Sequence, residues 1–334
     1  MGFEERQALI KEIEKRRNSR VICCITSDRP NAQGIIAKDF IPLFYKHLNS
    51  FENAKNVDVF ICTMGGDTQA SFGLCRLIRE FSEQMGVLIP EKCHSGGTLF
   101  ALGADQIFMT KMATLSPIDP SISGPLNPTT EILGTKQPVP VSVESVAGFK
   151  ALVRDEWKLS KEFVGEAFKL LTGKIDPLLL GDVYRSRQQI ERLAKILLMS
   201  HRNDHRQIEK IVTKLAKDLG SHDYLISKTE TREILGHHVV QDDADLENLI
   251  MQLYKDFALE MELGKPYDAM LFINEARAKG VTPPFRALQK LVIIESTFGS
   301  DVWERELRLT PSQMMTPFGP QETVRQEFLK NGWK

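Results

Sequence analysis

Ser95 is the residue best placed to do chemistry in this chain. It stands in His94-Ser95-Gly96-Gly97-Thr98, a hydroxyl nucleophile followed by two glycines. Upstream, Met85-Gly86-Val87-Leu88-Ile89-Pro90 predicts a buried strand, and downstream Thr98-Leu99-Phe100-Ala101-Leu102-Gly103-Ala104 predicts the first turns of a helix. The serine is therefore expected on a strand-to-helix elbow. Glycine lets the backbone turn sharply there, and free amides at the start of the helix can meet negative charge developing on a substrate oxygen. Acyl transfer needs that geometry. The same residues also suit a tight turn with Ser95 as a plain helix N-cap. A second glycine turn favours the chemical reading. Val57–Thr63 predicts a strand running into Met64-Gly65-Gly66-Asp67, and the following helix, from Thr68 to about Gln84, places Phe72, Cys75, Leu77, Ile78 and Phe81 on one face. Right-handed crossovers bring both glycine turns to one carboxyl edge of a parallel sheet. The Gly65 and Gly66 amides would then face Ser95 as an oxyanion hole, with Gly96 as a further donor.

Strand and helix alternate around these turns. Arg20–Thr26 predicts a first strand, a helix follows from about Asp39 to Leu48, and Gln106–Thr110 predicts another strand. Ala113-Thr114-Leu115 then leads into the turn Ser116-Pro117-Ile118-Asp119-Pro120. This pattern means α/β, with a mostly parallel sheet and flanking helices. Ser121–Pro140 is rich in Pro, Ser, Thr and Gly and reads as a loop or lid. Amphipathic helices are expected at about 142–158, 161–171, 177–201 and 206–219, before an extended segment at 220–226, a short helix and Gly236. Beyond residue 240 the patterns are helical with charged faces, as at 245–261 and 287–297. The expected division is a domain of residues 1–240 and a helical C-terminal extension at 241–334, serving packing, subunit contacts or partner binding.

The 334 residues are 42% hydrophobic with a net charge of −1, enough for a large core. No basic stripe with interleaved aromatics advertises nucleic acid. Met1–Arg20 is dense in Glu, Lys and Arg and reads as a surface helix rather than a secretion signal. No window approaches the run of apolar residues that a membrane span needs. A soluble, cytoplasmic protein without a membrane span is expected. Cys23, Cys24, Cys62, Cys75 and Cys93 lie in apolar contexts without metal-ligand spacing and read as buried reduced thiols. His201 and His205 have the i, i+4 spacing of metal ligands, but Arg202, Asn203, Asp204 and Arg206 around them describe a solvated helix end. No metal and no cofactor are expected.

In order and spacing, Met64-Gly65-Gly66, Ser95-Gly96-Gly97-Thr98, Ala104-Asp105-Gln106-Ile107-Phe108-Met109 and Leu115-Ser116-Pro117-Ile118-Asp119-Pro120 resemble the serine dehydrogenase proteinase family. That family is grouped with Clp-type and signal-peptide-peptidase-type serine proteases of the ClpP/crotonase fold. The resemblance runs over residues 20–240 and implies that fold. Members often carry a membrane anchor, and none is read in this chain. A serine hydroxyl needs a base. His94 is adjacent in sequence, but neighbouring side chains point different ways, which assigns it to packing or to the rim. In Clp-type proteases a histidine follows the serine by about one strand and a turn, where this chain has Asp119. The triad acid of those relatives falls where this chain has His222-Asp223-Tyr224. The resemblance therefore implies a swapped arrangement, with His222 as base, Asp119 orienting it and Asp223 as a nearby substitute. Signal peptide peptidases use a lysine, which offers Lys136 as the alternative base. His222 has a plain alternative too, as a residue at the start of a helix bonded to backbone.

The expected activity is that of a serine peptidase working through a Ser95 acyl-enzyme on a peptide or protein substrate. Two other classes stand beside it: a catalytically silent oligomeric scaffold, and acyl-CoA chemistry of the crotonase type, for which an elbow serine has no use. Proteins of this fold usually form rings or stacked trimers, so a homo-oligomer is expected.

Overall fold

A computed structural model describes residues 2–52, 54–118, 121–122, 124–132, 135–139, 141–237, 239–316 and 319–334. Helix α1 (Phe3–Arg17) leads to strand β1 (Arg20–Thr26), the short pair β2 (Asp28–Arg29) and β3 (Ala32–Gln33), helix α2 (Phe40–Asn49) and β4 (Asn56–Cys62). Then come α3 (Thr68–Phe81), β5 (Gln84–Ile89), β6 (Lys92–Cys93), α4 (Gly96–Ala101), β7 (Gln106–Met109) and β8 (Thr114–Leu115). The segment expected as a loop or lid instead holds short antiparallel pairs: β9 (Ser121–Ile122) with β12 (Val141–Ser142), and β10 (Thr129–Ile132) with β11 (Thr135–Pro138).

Helices α5 (Val143–Ala151), α6 (Lys161–Thr172), α7 (Pro177–Met199) and α8 (His205–Thr213) follow. Alpha5 and α8 each run on into a π-helical turn, at Leu152–Glu156 and Lys214–Asp218. Strand β13 (Ile226–Ser227), α9 (Lys228–Leu235), β14 (Val240–Gln241), α10 (Ala244–Glu260) and α11 (Ala269–Ala278) lead to three long strands, β15 (Phe285–Ser296), β16 (Gly299–Thr316) and β17 (Gly319–Trp333).

The main sheet has eight strands in the order β14-β7-β5-β4-β1-β15-β16-β17. The five from β14 to β1 run parallel, and β15, β16 and β17 add antiparallel to one another and to β1. Parallel strands covered on both faces read as continuous apolar runs, and β1 and β4 do. In β1, Ile22 and Cys24 face the layer of α2, α3 and α7, whereas Val21, Cys23 and Ile25 face α1 and α10.

Two expectations change. The C-terminal extension is helical only through α10 and α11. Residues 287–297, expected as helix, lie in β15 up to Ser296, because the β-branched run Val292-Ile293-Ile294 sits buried beside β1 and the turn before Gly299 leads the chain into β16. The sheet is consequently mixed rather than mostly parallel at one end. The N-terminal helix is also more than a surface helix. Ile10 and Ile13 of α1 are fully buried against α10. Arg6, 2% exposed, donates to both oxygens of Glu295 (2.8 and 2.7 Å) and to Asp256 (2.8 Å) and also pairs with Glu260. Its guanidinium lies 4.5 Å from the centre of the Phe257 ring. One residue thus ties α1 to α10 and to the added strand β15.

A second buried polar cluster joins α2 to the β15–β16 turn. His47 Nδ1 lies 2.7 Å from Ser296 Oγ and Nε2 lies 3.0 Å from Asp301, which also accepts from Lys46 at 2.6 Å. The connectivity is serine to histidine to aspartate. Ser296 and His47 are 0% exposed, so no substrate reaches them, and the cluster is a structural tie.

Candidate active site

Strand β4 ends in a glycine turn that zips onto the loop carrying Ser95. Thr63 N donates to Lys92 O (3.0 Å) and His94 N donates back to Thr63 O (3.0 Å), which aligns the two carboxyl edges. Gly65 has φ +107°, a conformation glycine adopts without strain. A methyl group on it would stand 2.7 Å from His94 O and 2.9 Å from Gly96 N, so only glycine lets the two turns meet. A methyl group on Gly96 would likewise lie 3.2 Å from Gly66 N. Asp67 then caps α3, its carboxylate accepting from Gln69 N (2.7 Å) and Ala70 N (3.0 Å).

Ser95 itself has φ 49° and ψ −111° and is half-buried, at the start of α4. With Gly97 N donating to His94 O at 2.7 Å, residues 94–97 form a turn whose second position has the backbone of a type II′ turn. That position ordinarily belongs to glycine. A serine held there projects its side chain from the tip of the turn. Ser95 makes no side-chain cap bond to α4, so its hydroxyl is not spent as an N-cap.

Among the described residues, the Gly66 and Gly96 amides donate to no other group, and the two turns place them side by side. The Gly65 amide is taken: it donates to Thr63 Oγ1 at 3.0 Å. Of the three expected oxyanion donors, Gly65 therefore serves close approach, and Gly66 and Gly96 keep free N–H groups.

Ser116 is the residue that sequence reasoning passed over. Its buried Oγ accepts from Ser95 N at 2.8 Å, and its own N donates to Thr98 Oγ1 at 3.1 Å, which in turn donates to Cys93 O at 2.8 Å. The Ser-Pro turn was visible in the sequence, but its contact with the elbow crosses strands and has no periodic signal.

His94 turns away from Ser95, with Nε2 2.8 Å from Thr114 Oγ1. Burial, helped by the charge of Lys92 and by the nearby His222, pulls its pKa down to about 4. The chain before His222 packs on the Ser-Pro turn: Ile118 N donates to Leu215 O (3.1 Å), and Pro117 shares a small cavity wall with Gly220 and Ser221. His222 is half-buried and lines a larger cavity of about 680 Å³. Asp223 is exposed. Asp119 lies outside the described residues. Lys136 is on β11, paired in register with Glu131 of β10.

All five cysteines are buried and free, and burial pushes the Cys24 and Cys62 thiols up to about 12. His201 departs from the solvated helix end, its Nε2 lying 2.9 Å from Leu102 O.

Residues 2–146 match the family of ClpP-like SDH-type serine proteinases. The matched stretch contains Gly65, Gly66, Ser95, Gly96, Ser116 and Lys136, and His222 lies beyond it. Two uncharacterized proteins of Methanocaldococcus jannaschii are similar over much of the chain. One is 25% identical over 259 residues, 75% of this chain and 78% of the relative. The other is 27% identical over 237 residues, 69% of this chain and 70% of its own. Among solved structures, a membrane-bound stomatin-specific protease aligns at 14% identity and TM-score 0.40, over 68% of this chain and 82% of that one. ClpP1 from Listeria monocytogenes aligns at 16% identity and TM-score 0.37, over 70% and 96%. Among the described residues, no helix is long and apolar enough to cross a membrane.

Proposed function

We propose that the protein is a serine peptidase that cleaves peptide bonds through an acyl-enzyme on Ser95. The observation that carries this is Ser95 in a strained turn beside the two free amides of Gly66 and Gly96. The Ser95 hydroxyl attacks the scissile carbonyl while a base takes its proton, and the resulting oxyanion is met by the two N–H groups. The leaving amine takes that proton as the tetrahedral species collapses, and water then releases the acyl group by the same route. His222 is the proposed base, with Asp119 orienting its ring and Asp223 as substitute; Lys136 is the alternative.

A fluorophosphonate is expected to label the peptide that contains Ser95 and to leave Ser95→Ala unlabelled; labelling that survives in Ser95→Ala removes the nucleophile. For the base, His222→Ala is expected to lower turnover by orders of magnitude and Lys136→Met to be mild. The reverse pattern in two folded variants gives the role to lysine. The protein is proposed to work as a homo-oligomer, and sedimentation showing only the 37.8 kDa chain overturns that.

A further inference from the structure

Strand β17 ends the eight-stranded sheet, and among the described residues nothing pairs with its outer edge between Gln321 and Phe328. An edge strand offers a row of unpaired N–H and C=O groups, which proteins commonly blunt with proline, lysine or a bulge. Here those devices stand at the two ends of the stretch. Pro320 precedes it, and a bulge at Leu329 follows it, where the register with β16 steps from Leu307 opposite Phe328 to Glu306 opposite Lys330. Between them the edge is open to another strand.

The side chains of the stretch specify which strand fits. Phe328, Gln326 and Val324 share a face with Leu307, Leu309 and Pro311, the residues opposite them in β16, whereas Glu327 and Arg325 lie on the other face with Arg308 and Thr310. Leu307 and Leu309 are buried, yet Phe328 beside them is 64% exposed. Glu327 pairs with Arg308 at 3.3 Å, and Arg325 is exposed and makes no ion pair among the described residues. Let a second copy of the strand run antiparallel with Gln326 opposite Gln326. Arg325 then falls opposite Glu327 and Val324 opposite Phe328, and the two-fold axis repeats each pair. Directly opposite residues must share a face, so a symmetric register is always centred on a residue. Centring one residue to either side sets Arg325 against Arg325 or Glu327 against Glu327, which is repulsive.

We propose that β17 pairs antiparallel with β17 of a second copy of this chain about an axis at Gln326, joining the two sheets into one. Main-chain hydrogen bonds supply the attraction, the Arg325 and Glu327 pairs fix the register, and Val324 of the second copy covers Phe328. The inference goes beyond the peptidase reading and does not rest on it. It gives the proposed homo-oligomer one of its contacts.

Two measurements on the full chain test it. Gln326→Cys puts an exposed thiol at the axis, while the five native thiols are buried. Oxidation with copper–phenanthroline is expected to cross-link this variant to its own copy and to leave Gln321→Cys, whose two copies lie far apart along the joined strands, as single chains. In sedimentation, Arg325→Glu and Glu327→Arg are each expected to weaken the association about a hundred-fold. An equimolar mixture of the two is expected to recover it, because each supplies the charge that the other lacks. Equal cross-linking of the two cysteine variants overturns the inference, as does its absence from Gln326→Cys. A mixture no tighter than either variant alone does the same. If both charge variants associate like the wild type, the contact lies elsewhere and the homo-oligomer reading stands without it; if the wild type sediments only as the single chain, both fall. Fluorophosphonate labelling of Ser95 decides the peptidase reading separately.

Discussion

Replacing Ser116 with alanine should damage the elbow without touching the nucleophile. The substitution removes the acceptor for Ser95 N, now 2.8 Å away. A buried N–H left without a partner costs about 1–3 kcal/mol. Ser95 already sits at a backbone conformation that costs a non-glycine residue of the order of 1–3 kcal/mol. The two terms are similar in size, so the turn is expected to relax once the hydrogen bond is gone. Relaxation moves Gly96 N–H off the position of the developing oxyanion, and losing one such donor outright costs about 10²–10³ in rate. Partial misplacement should therefore slow fluorophosphonate labelling of Ser95 by about ten- to a hundred-fold. In a peptide assay the loss should fall on kcat, with KM little changed. Ser116→Thr, which keeps the hydroxyl, should recover much of the rate. Labelling of Ser116→Ala at the wild-type rate would refute the reasoning, and so would loss of stability with labelling of the folded fraction intact.

Three further outcomes follow from the same structure. Ser95→Gly should be more stable than Ser95→Ala by about 1 kcal/mol in denaturant unfolding, because glycine takes φ 49°, ψ −111° without strain; equal stabilities would show that the turn stores none. Arg6→Ala leaves Glu295 and Asp256 buried without their cation and should cost about 3–5 kcal/mol, and a change below about 1 kcal/mol would contradict that role for the cluster. His94 is held neutral to about pH 4 in the folded state, below its ordinary 6.5, so the unfolded chain binds the proton first; its contribution to stability is full above pH 6.5 and is lost as pH falls toward 4. His47 and His201 are lowered by burial and act in the same direction. The decline in Tm over that range should be shallower in His94→Gln, and an unchanged slope would remove His94 from the account.

The parts of this fold legible in the sequence were those with local, periodic signals. Beta4, the Gly65-Gly66 turn, α3, β5 and the Ser95 elbow follow one another as apolar runs punctuated by glycine, and they appear where expected, apart from α3 ending at Phe81 so that Gln84 can begin β5. Alpha1 was misjudged because its buried face includes Arg6, a charge satisfied only by residues some 250 to 289 positions away. The strands after residue 285 were missed because Leu288, Leu291 and Ile294 mimic a helical stripe, and only the partners β1 and β16 reveal the pleat. Within the candidate site, the two glycine turns could be read from glycine spacing. That the Gly65 amide is taken by Thr63 could not, since a hydroxyl two residues away gives no pattern in the sequence.

The buried cluster of Ser296, His47 and Asp301 bears on how hydrolases are recognised from coordinates. A template that asks only for a serine, a histidine and an aspartate in hydrogen-bonded sequence would select Ser296, whose distances to its partners satisfy it. What distinguishes this serine from Ser95 is reach: one is sealed under the α2 and β15–β16 junction, and the other stands at the tip of a turn beside unoccupied amides. Solvent access and backbone geometry, which set Ser95 apart from Ser296, are what support Ser95 as the proposed nucleophile.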